Sequence, residues 1–291
     1  MTARRPVHPI SIVGLPGSGK TTFLAALWHL VRSNDIDDCR LKFDSLKEGN
    51  YQHLMDIEAR WLSAKEQERT QVAGVRTVSM DLSDREGRPV RVTFPDVPGE
   101  DYQHMWEQRA IADDLAHTLS GGNIMLLLNG NKIEAPNWVY DEAELCRKLS
   151  LPLPQGEAVA WQPSLAPTQV QLVDLLQTLR RPPLDCGPRR LAVMISLWDK
   201  ASGEGKLPEP FLAEKLSLLD QYLRSGRDLW SWRVYGVSAQ GGDYDSTQEG
   251  GIPSAQAALL REKDIPSERI RLVHGDAESH DLTEPLEWLM N

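Results

Sequence analysis

The chain of 291 residues holds only three cysteines, Cys39, Cys146 and Cys186, far apart and never in a C-x-x-C pair. An odd, scattered set fits a reducing compartment better than a disulfide framework. With no His or Cys partner at ligand spacing, it also offers no zinc site. Long apolar runs are missing too. No window approaches the roughly 20 apolar residues that span a bilayer. The apolar part of the opening MTARRPVHPISIV is too short for a secretory signal. The expectation is a soluble, cytoplasmic protein. Positive charge is in deficit, with 32 Lys and Arg against 42 Asp and Glu and a formal net charge of −10. Surfaces that hold nucleic acid or anionic lipid need clustered basic residues. Here the basic residues are scattered, so neither is expected as a partner. Internal repeats and low-complexity tracts are lacking as well.

What is present is a rhythm of strands and helices, with 41% hydrophobic residues to supply a sizeable core. Ile10 to Val13 reads as a short buried strand, and Thr21 to Val31 as a helix with Phe23, Leu27, Leu30 and Val31 on one face. A second helix is expected over Leu46 to Gln67, where Leu54, Ile57, Trp61 and Leu62 share a face. VRTVSMDLSDREGRPVRVTFPD alternates in two halves about a polar turn, a hairpin signal. The continuous apolar runs NIMLLLNG (123–130) and LAVMISLWD (191–199) mark strands buried on both faces of a parallel sheet; RVYGVSAQ (233–240) is a weaker third. Helical patterns cover 141–149, 168–179 and 209–224, and TEPLEWLM reads as a short helix started by Asp281 or Thr283. Alternating strands and helices predict the α/β class, with a doubly wound, mostly parallel sheet, one antiparallel hairpin strand and helical or loop insertions. A single domain over 1–291 is expected. It carries an insertion between core strands at about 131–189, proline-rich over 151–167, and a C-terminal elaboration at about 241–291.

Between the first strand and the first helix stands GLPGSGKT, which fits G-x-x-x-x-G-K-[ST]. Gly14, Gly17 and Gly19 let backbone N–H groups converge on a phosphate without side-chain obstruction, and the following helix adds its positive end. Ser18 and Thr22 belong to the same phosphate-binding run. Lys20 is placed to reach the β- and γ-phosphates and the Thr21 hydroxyl to bind Mg²⁺. Chance produces such a match in a chain of this length on the order of one time in a hundred, and the flanking strand and helix lower that further. Pro16 occupies a variable position of the turn.

The second expected strand of the hairpin ends in Asp96-Val97-Pro98-Gly99. A carboxylate at Asp96 can hold Mg²⁺, usually through water, and the Gly99 amide can sense a γ-phosphate.

Here and at SLWD the chain resembles the Ras-like P-loop GTPases, whose guanine-reading N/T-K-x-D also ends a buried strand. The matching residues are Ser196, Leu197, Trp198 and Asp199. The resemblance implies that Asp199 accepts from guanine N1–H and the exocyclic amino group, with Ser196 bracing the loop. The usual lysine is replaced by Leu197, and Lys200 is displaced. Ser238, Ala239 and Gln240 resemble the S-A-K loop, whose alanine N–H meets guanine O6. GLPGSGKTTFLAALW and FPDVPGE look most like the bacterial double-GTPase group. That resemblance implies a GTPase module in a multi-component bacterial system, often one serving conflict or defence, on a sheet of P-loop GTPase type.

The resemblance also calls for a switch threonine, for which Thr70 is the first choice and Thr77 the alternative. Glu100 stands where a water-orienting Gln is usual, so slow or partner-stimulated hydrolysis is expected; Arg69 and Arg109 are candidate finger cations. GTP or GDP, Mg²⁺ and an unidentified protein effector or regulator are the implied partners. Two other readings stay open: an ATP-using P-loop ATPase or kinase, and an interaction module that holds nucleotide without hydrolysing it.

Overall fold

A computed structural model describes residues 8–37, 39–67, 76–96, 105–136, 139–152, 160–185, 187–203, 205–246 and 254–291. The strands are β1 (His8–Gly14), β2 (Leu41–Glu48), β3 (Arg76–Asp84), β4 (Pro89–Asp96), β5 (Asn123–Asn129), β6 (Arg189–Ser196), β7 (Trp230–Ser238), β8 (Arg271–His274) and β9 (Ala277–Ser279). Helices among the described residues include α1 (Lys20–Ser33), α2 (Tyr51–Leu62), α3 (Asp113–Leu119), α4 (Val139–Lys148), α5 (Thr168–Thr178), α6 (Trp198–Ala201), α7 (Pro208–Lys215), α8 (Ser217–Ser225), α9 (Ala255–Arg261) and α10 (Glu284–Met290). The strands β1 to β9 form one sheet in the order β2-β3-β4-β1-β5-β6-β7-β8-β9.

Its centre, β4-β1-β5-β6-β7, is parallel throughout. Side-chain alternation explains why both faces are covered. Ile124, Leu126 and Leu128 of β5 enter one core with Leu191, Val193 and Ile195 of β6, under α3, α5, α7 and α8. Met125 and Leu127 face the opposite core with Ala192 and Met194, under α1, α2, α9 and α10. A strand buried on both sides has no polar face, which is why these segments read as continuous apolar runs. From Phe23 to Val31 every residue of α1 is buried, because the sheet covers one side of it and α2 the other.

The expected doubly wound, mostly parallel sheet is present, with three local differences. The helix expected from Leu46 begins only at Tyr51; Leu41–Glu48 is instead an antiparallel partner of β3. Register shifts between Phe43 and Ser45 and between Leu46 and Glu48 break its two-residue alternation, which hid the strand. Gly49, at φ 121°, then turns the chain, and the Asn50 side chain caps α2 by accepting from the amides of Gln52 and His53. Antiparallel pairing also exceeds one hairpin strand, since β8 and β9 extend the sheet beyond β7. Finally, the helix expected over 209–224 is broken at Leu216, whose φ of −133° separates α7 from α8.

The C-terminal helix begins as expected. Asp281 accepts from the Thr283 amide at 2.8 Å and from its hydroxyl at 2.6 Å, and Asp281 and Thr283 together accept from the Arg40 amide. No helix among the described residues is long and apolar enough to cross a membrane.

Candidate functional site

The parallel register sets the candidate residues along one edge. Gly14 lies opposite Leu127, Asn129 opposite Ser196, and Ser196 opposite Val237, so the turns after β1, β5, β6 and β7 all leave from the carboxyl ends of neighbouring strands. In open α/β sheets that edge is where ligands bind. Asp96 closes β4 three residues beyond Thr93, which pairs with Ser11 of β1.

Three glycines shape the first turn, each for its own reason. Gly17 and Gly19 have φ of 69° and 87°, a backbone region that L side chains rarely enter. A β-carbon on Gly14 would strike the Leu127 carbonyl oxygen and come within 2.6 Å of Ser18 Oγ. Gly19 caps α1 without a side chain, and the first turn holds no acidic residue. The helix therefore opens with its positive end uncapped by side chains, followed by the half-buried Lys20, Thr21 and Thr22. Lys20 Nζ donates to the carbonyls of Gly14 at 2.6 Å and Leu15 at 3.2 Å, folding across the turn.

Asn129 braces this turn, a role the sequence reading missed. Its Nδ2 donates to the Gly17 carbonyl at 2.9 Å, while Oδ1 accepts from the amides of Asn131 at 3.0 Å and Lys132 at 2.9 Å. The available signal was a lone polar side chain closing the apolar run NIMLLLNG.

The turn after β6 abuts the first one: a β-carbon at Gly19 would stand 3.4 Å from Ser196 Oγ. Leu197 adopts φ 54°, a left-handed conformation that swings the chain straight into α6. Trp198 is buried there, edge-on to Phe211 at 5.3 Å, and its ring lies so close to Gly236 that a β-carbon would collide with it. This packing fixes the first turn of α6 and with it Asp199. Ser18 Oγ, Ser196 Oγ and Asp199 Oδ1 are buried and have no hydrogen-bond partner among the described residues. Asp199 also lies within electrostatic reach of Arg271, whose guanidinium is held more firmly charged by its hydrogen bond to Glu278, against the opposing cost of burial.

In the turn after β7, Ser238 is buried and its Oγ accepts from the Gly241 amide at 3.2 Å. The Ala239 carbonyl accepts from Trp61 Nε1 at 2.8 Å, and Gln240 donates to the Gly242 carbonyl at 2.7 Å.

Other candidates stand elsewhere. Thr77 pairs with Pro95 inside the β3–β4 ladder. Arg109 forms an ion pair with Asp174 and stacks 4.6 Å over Trp106, and Lys200 pairs with Asp243. Arg69, Thr70, Gly99, Glu100 and Cys186 lie outside the described residues.

The family model described as Double-GTPase 1 matches residues 11–289. Among curated proteins, none matches. Similar solved structures include a bacterial selenocysteine-specific elongation factor, EF-Sec (14% identity, TM-score 0.37, covering 81% of this chain and 26% of that one). A second is the Ski7 GTPase-like domain of S. cerevisiae bound to GTP (12% identity, TM-score 0.42, 82% and 44%). A third is the signal recognition particle receptor SRb-GTP/SRX complex of Chaetomium thermophilum (11% identity, TM-score 0.40, 82% and 94%). The chain thus spans about a quarter of the EF-Sec chain and under half of the Ski7 chain.

Proposed function

The chain belongs to the Double-GTPase 1 family, and from that premise we propose a guanine-nucleotide switch with slow or partner-stimulated GTP hydrolysis. Family membership implies GTP and GDP as ligands. The observation that carries the reading is Asp199 Oδ1, a buried carboxylate oxygen without a partner among the described residues. It sits on the same sheet edge as the glycine turn before α1. An unpaired buried acceptor costs about 1–3 kcal/mol, and a base carrying N–H donors at this place offsets that cost.

In this reading the amides of residues 14–22, with Lys20, hold the phosphates. Asp199 and Ser196, with Ser238, Ala239 and Gln240, read the base. The Thr21 hydroxyl and the Asp96 carboxylate offer hard oxygens of the kind Mg²⁺ takes alongside phosphates and water. Bound there, Mg²⁺ neutralises charge on the phosphate oxygens. Thr70, or else Thr77, covers the γ-phosphate, and Gly99 senses it. Glu100 orients water while adding repulsion, which keeps intrinsic turnover slow. The nucleotide state is read by a protein partner in a multi-component bacterial system.

Competition binding of GTP, GDP and ATP to purified protein tests this. Guanine nucleotides are expected to win by at least about 100-fold, the discrimination that buried polar readout supports. Equal affinity for ATP would overturn the guanine assignment in favour of an ATP-using enzyme.

A further inference from the structure

Helix α2 is inserted between β2 and β3, yet its C-terminal end is fastened to the turn after β7, far along the chain. Trp61 is fully buried, and its indole N–H ends on the Ala239 carbonyl at 2.8 Å. Arg269, itself 4% exposed, donates to the carbonyls of Trp61 at 3.1 Å and Leu62 at 3.0 Å, and its guanidinium lies 5.3 Å from the Trp61 ring centre. The Arg269 carbonyl in turn packs on Gly241, at φ 82°, so closely that no β-carbon fits. The chain beyond α2 continues the attachment. The Asp245 amide donates to the Ala64 carbonyl at 2.8 Å and the Glu66 amide to the Asp245 carbonyl at 3.0 Å. Arg261 closes it by donating to the Ser63 carbonyl at 3.1 Å and pairing with Asp245 at 2.7 Å.

Most of these contacts would serve packing alone. The Trp61 bond differs because of which carbonyl it holds. The Ala239 carbonyl belongs to the residue whose N–H faces the base in the proposed guanine site. Fixing that carbonyl fixes the peptide plane that follows Ala239, and the Ser238 hydroxyl restrains the same turn from inside through Gly241. The turn is thus held from both sides, once by its own serine and once by α2.

We infer that Trp61 is a positioning residue for base recognition, and that Trp61 and Arg269 tie the end of α2 to the turn that receives the purine. This rests on the guanine-nucleotide reading. A ligand that orders residues 238–240 therefore also orders residues 61–66, whereas a ligand that engages only the phosphate turn does not. The inserted helix reports base occupancy to the chain that follows it.

The experiment uses the full chain with GDP and inorganic pyrophosphate as probes. Trp61→Phe keeps an aromatic ring and removes the N–H donor. Arg269→Lys keeps the charge and removes the two-carbonyl fork. For folded variants, GDP affinity is expected to fall about three- to tenfold, the scale of one lost hydrogen bond, with pyrophosphate affinity unchanged. Hydrogen exchange at Ala64 to Glu66 is expected to slow with GDP but not with pyrophosphate in the wild type, and this difference is expected to shrink in both variants. Equal losses for both probes would make the contacts merely structural, and unchanged GDP affinity in both variants would overturn the inference. A wild type that binds pyrophosphate but shows no preference for GDP over ADP would instead remove the reading beneath it.

Discussion

Asn129, the last residue of β5, donates its side-chain amide to the Gly17 carbonyl at 2.9 Å, bracing the glycine turn from the neighbouring strand. The same side chain accepts from two amides of its own turn, so it fixes two turns of the sheet edge at once. Asn129→Ala removes all three bonds. At about 1 kcal/mol for the bond to Gly17, nucleotide affinity should fall five- to tenfold with little change in fold. Calorimetric titration with GDP checks this; unchanged affinity would show that the turn holds its shape unaided.

Asp199→Asn replaces a double acceptor by a group with one acceptor and one donor. Guanine nucleotides should lose about 100-fold or more in affinity, and xanthine nucleotides should gain relative to them, because xanthine presents an acceptor where guanine has its amino group. Competition between GDP and XDP reads the exchange. An unaltered preference would mean that the buried Oδ1 faces something other than the base.

Gly236→Ala tests the packing behind Asp199. The new methyl would stand within 2.6 Å of Trp198 ring atoms on a buried strand. Displacing the ring should destabilise the protein by about 1–3 kcal/mol, measured by urea unfolding. GDP affinity should fall as well, since Trp198 and Asp199 share the first turn of α6.

Cys39 and Cys146 should differ as thiols. Burial foremost, with Asp281 and Asp35 nearby, pushes the Cys39 thiol up from 9.0 to about 12, so at neutral pH it should resist alkylation while the half-buried Cys146 reacts. Mass spectrometry of singly labelled protein separates the sites. The linkage has a definite sign. A raised folded value favours the protonated native state, so the contribution is whole below about pH 9 and is lost as pH rises toward 12. Wild type should therefore lose stability relative to Cys39→Ala across that window, and parallel curves would refute it.

Much of this molecule could be read in order along the chain. The glycine turn was legible because backbone geometry there admits almost no other residue: Gly17 and Gly19 need left-handed φ, and Gly14 needs to lack a β-carbon. The buried strands β5 and β6 were legible because burial on both faces leaves only apolar side chains. Strand β2 was not, because its register shifts break the alternation by which a half-buried strand is recognised. Nor were β8 and β9, which are four and three residues long, too short to set a period.

Local pattern thus determined the glycine turn, the class of fold and the strand ends from which the candidate residues project. Tertiary structure decided what no local pattern encodes. Asn129 meets Gly17 across 112 positions, and Trp61 meets Ala239 across 178. A hydrogen bond between residues that distant depends on strand order and on where an inserted helix lands. Those come from burying the two faces of one sheet, a property of the whole chain rather than of any window within it.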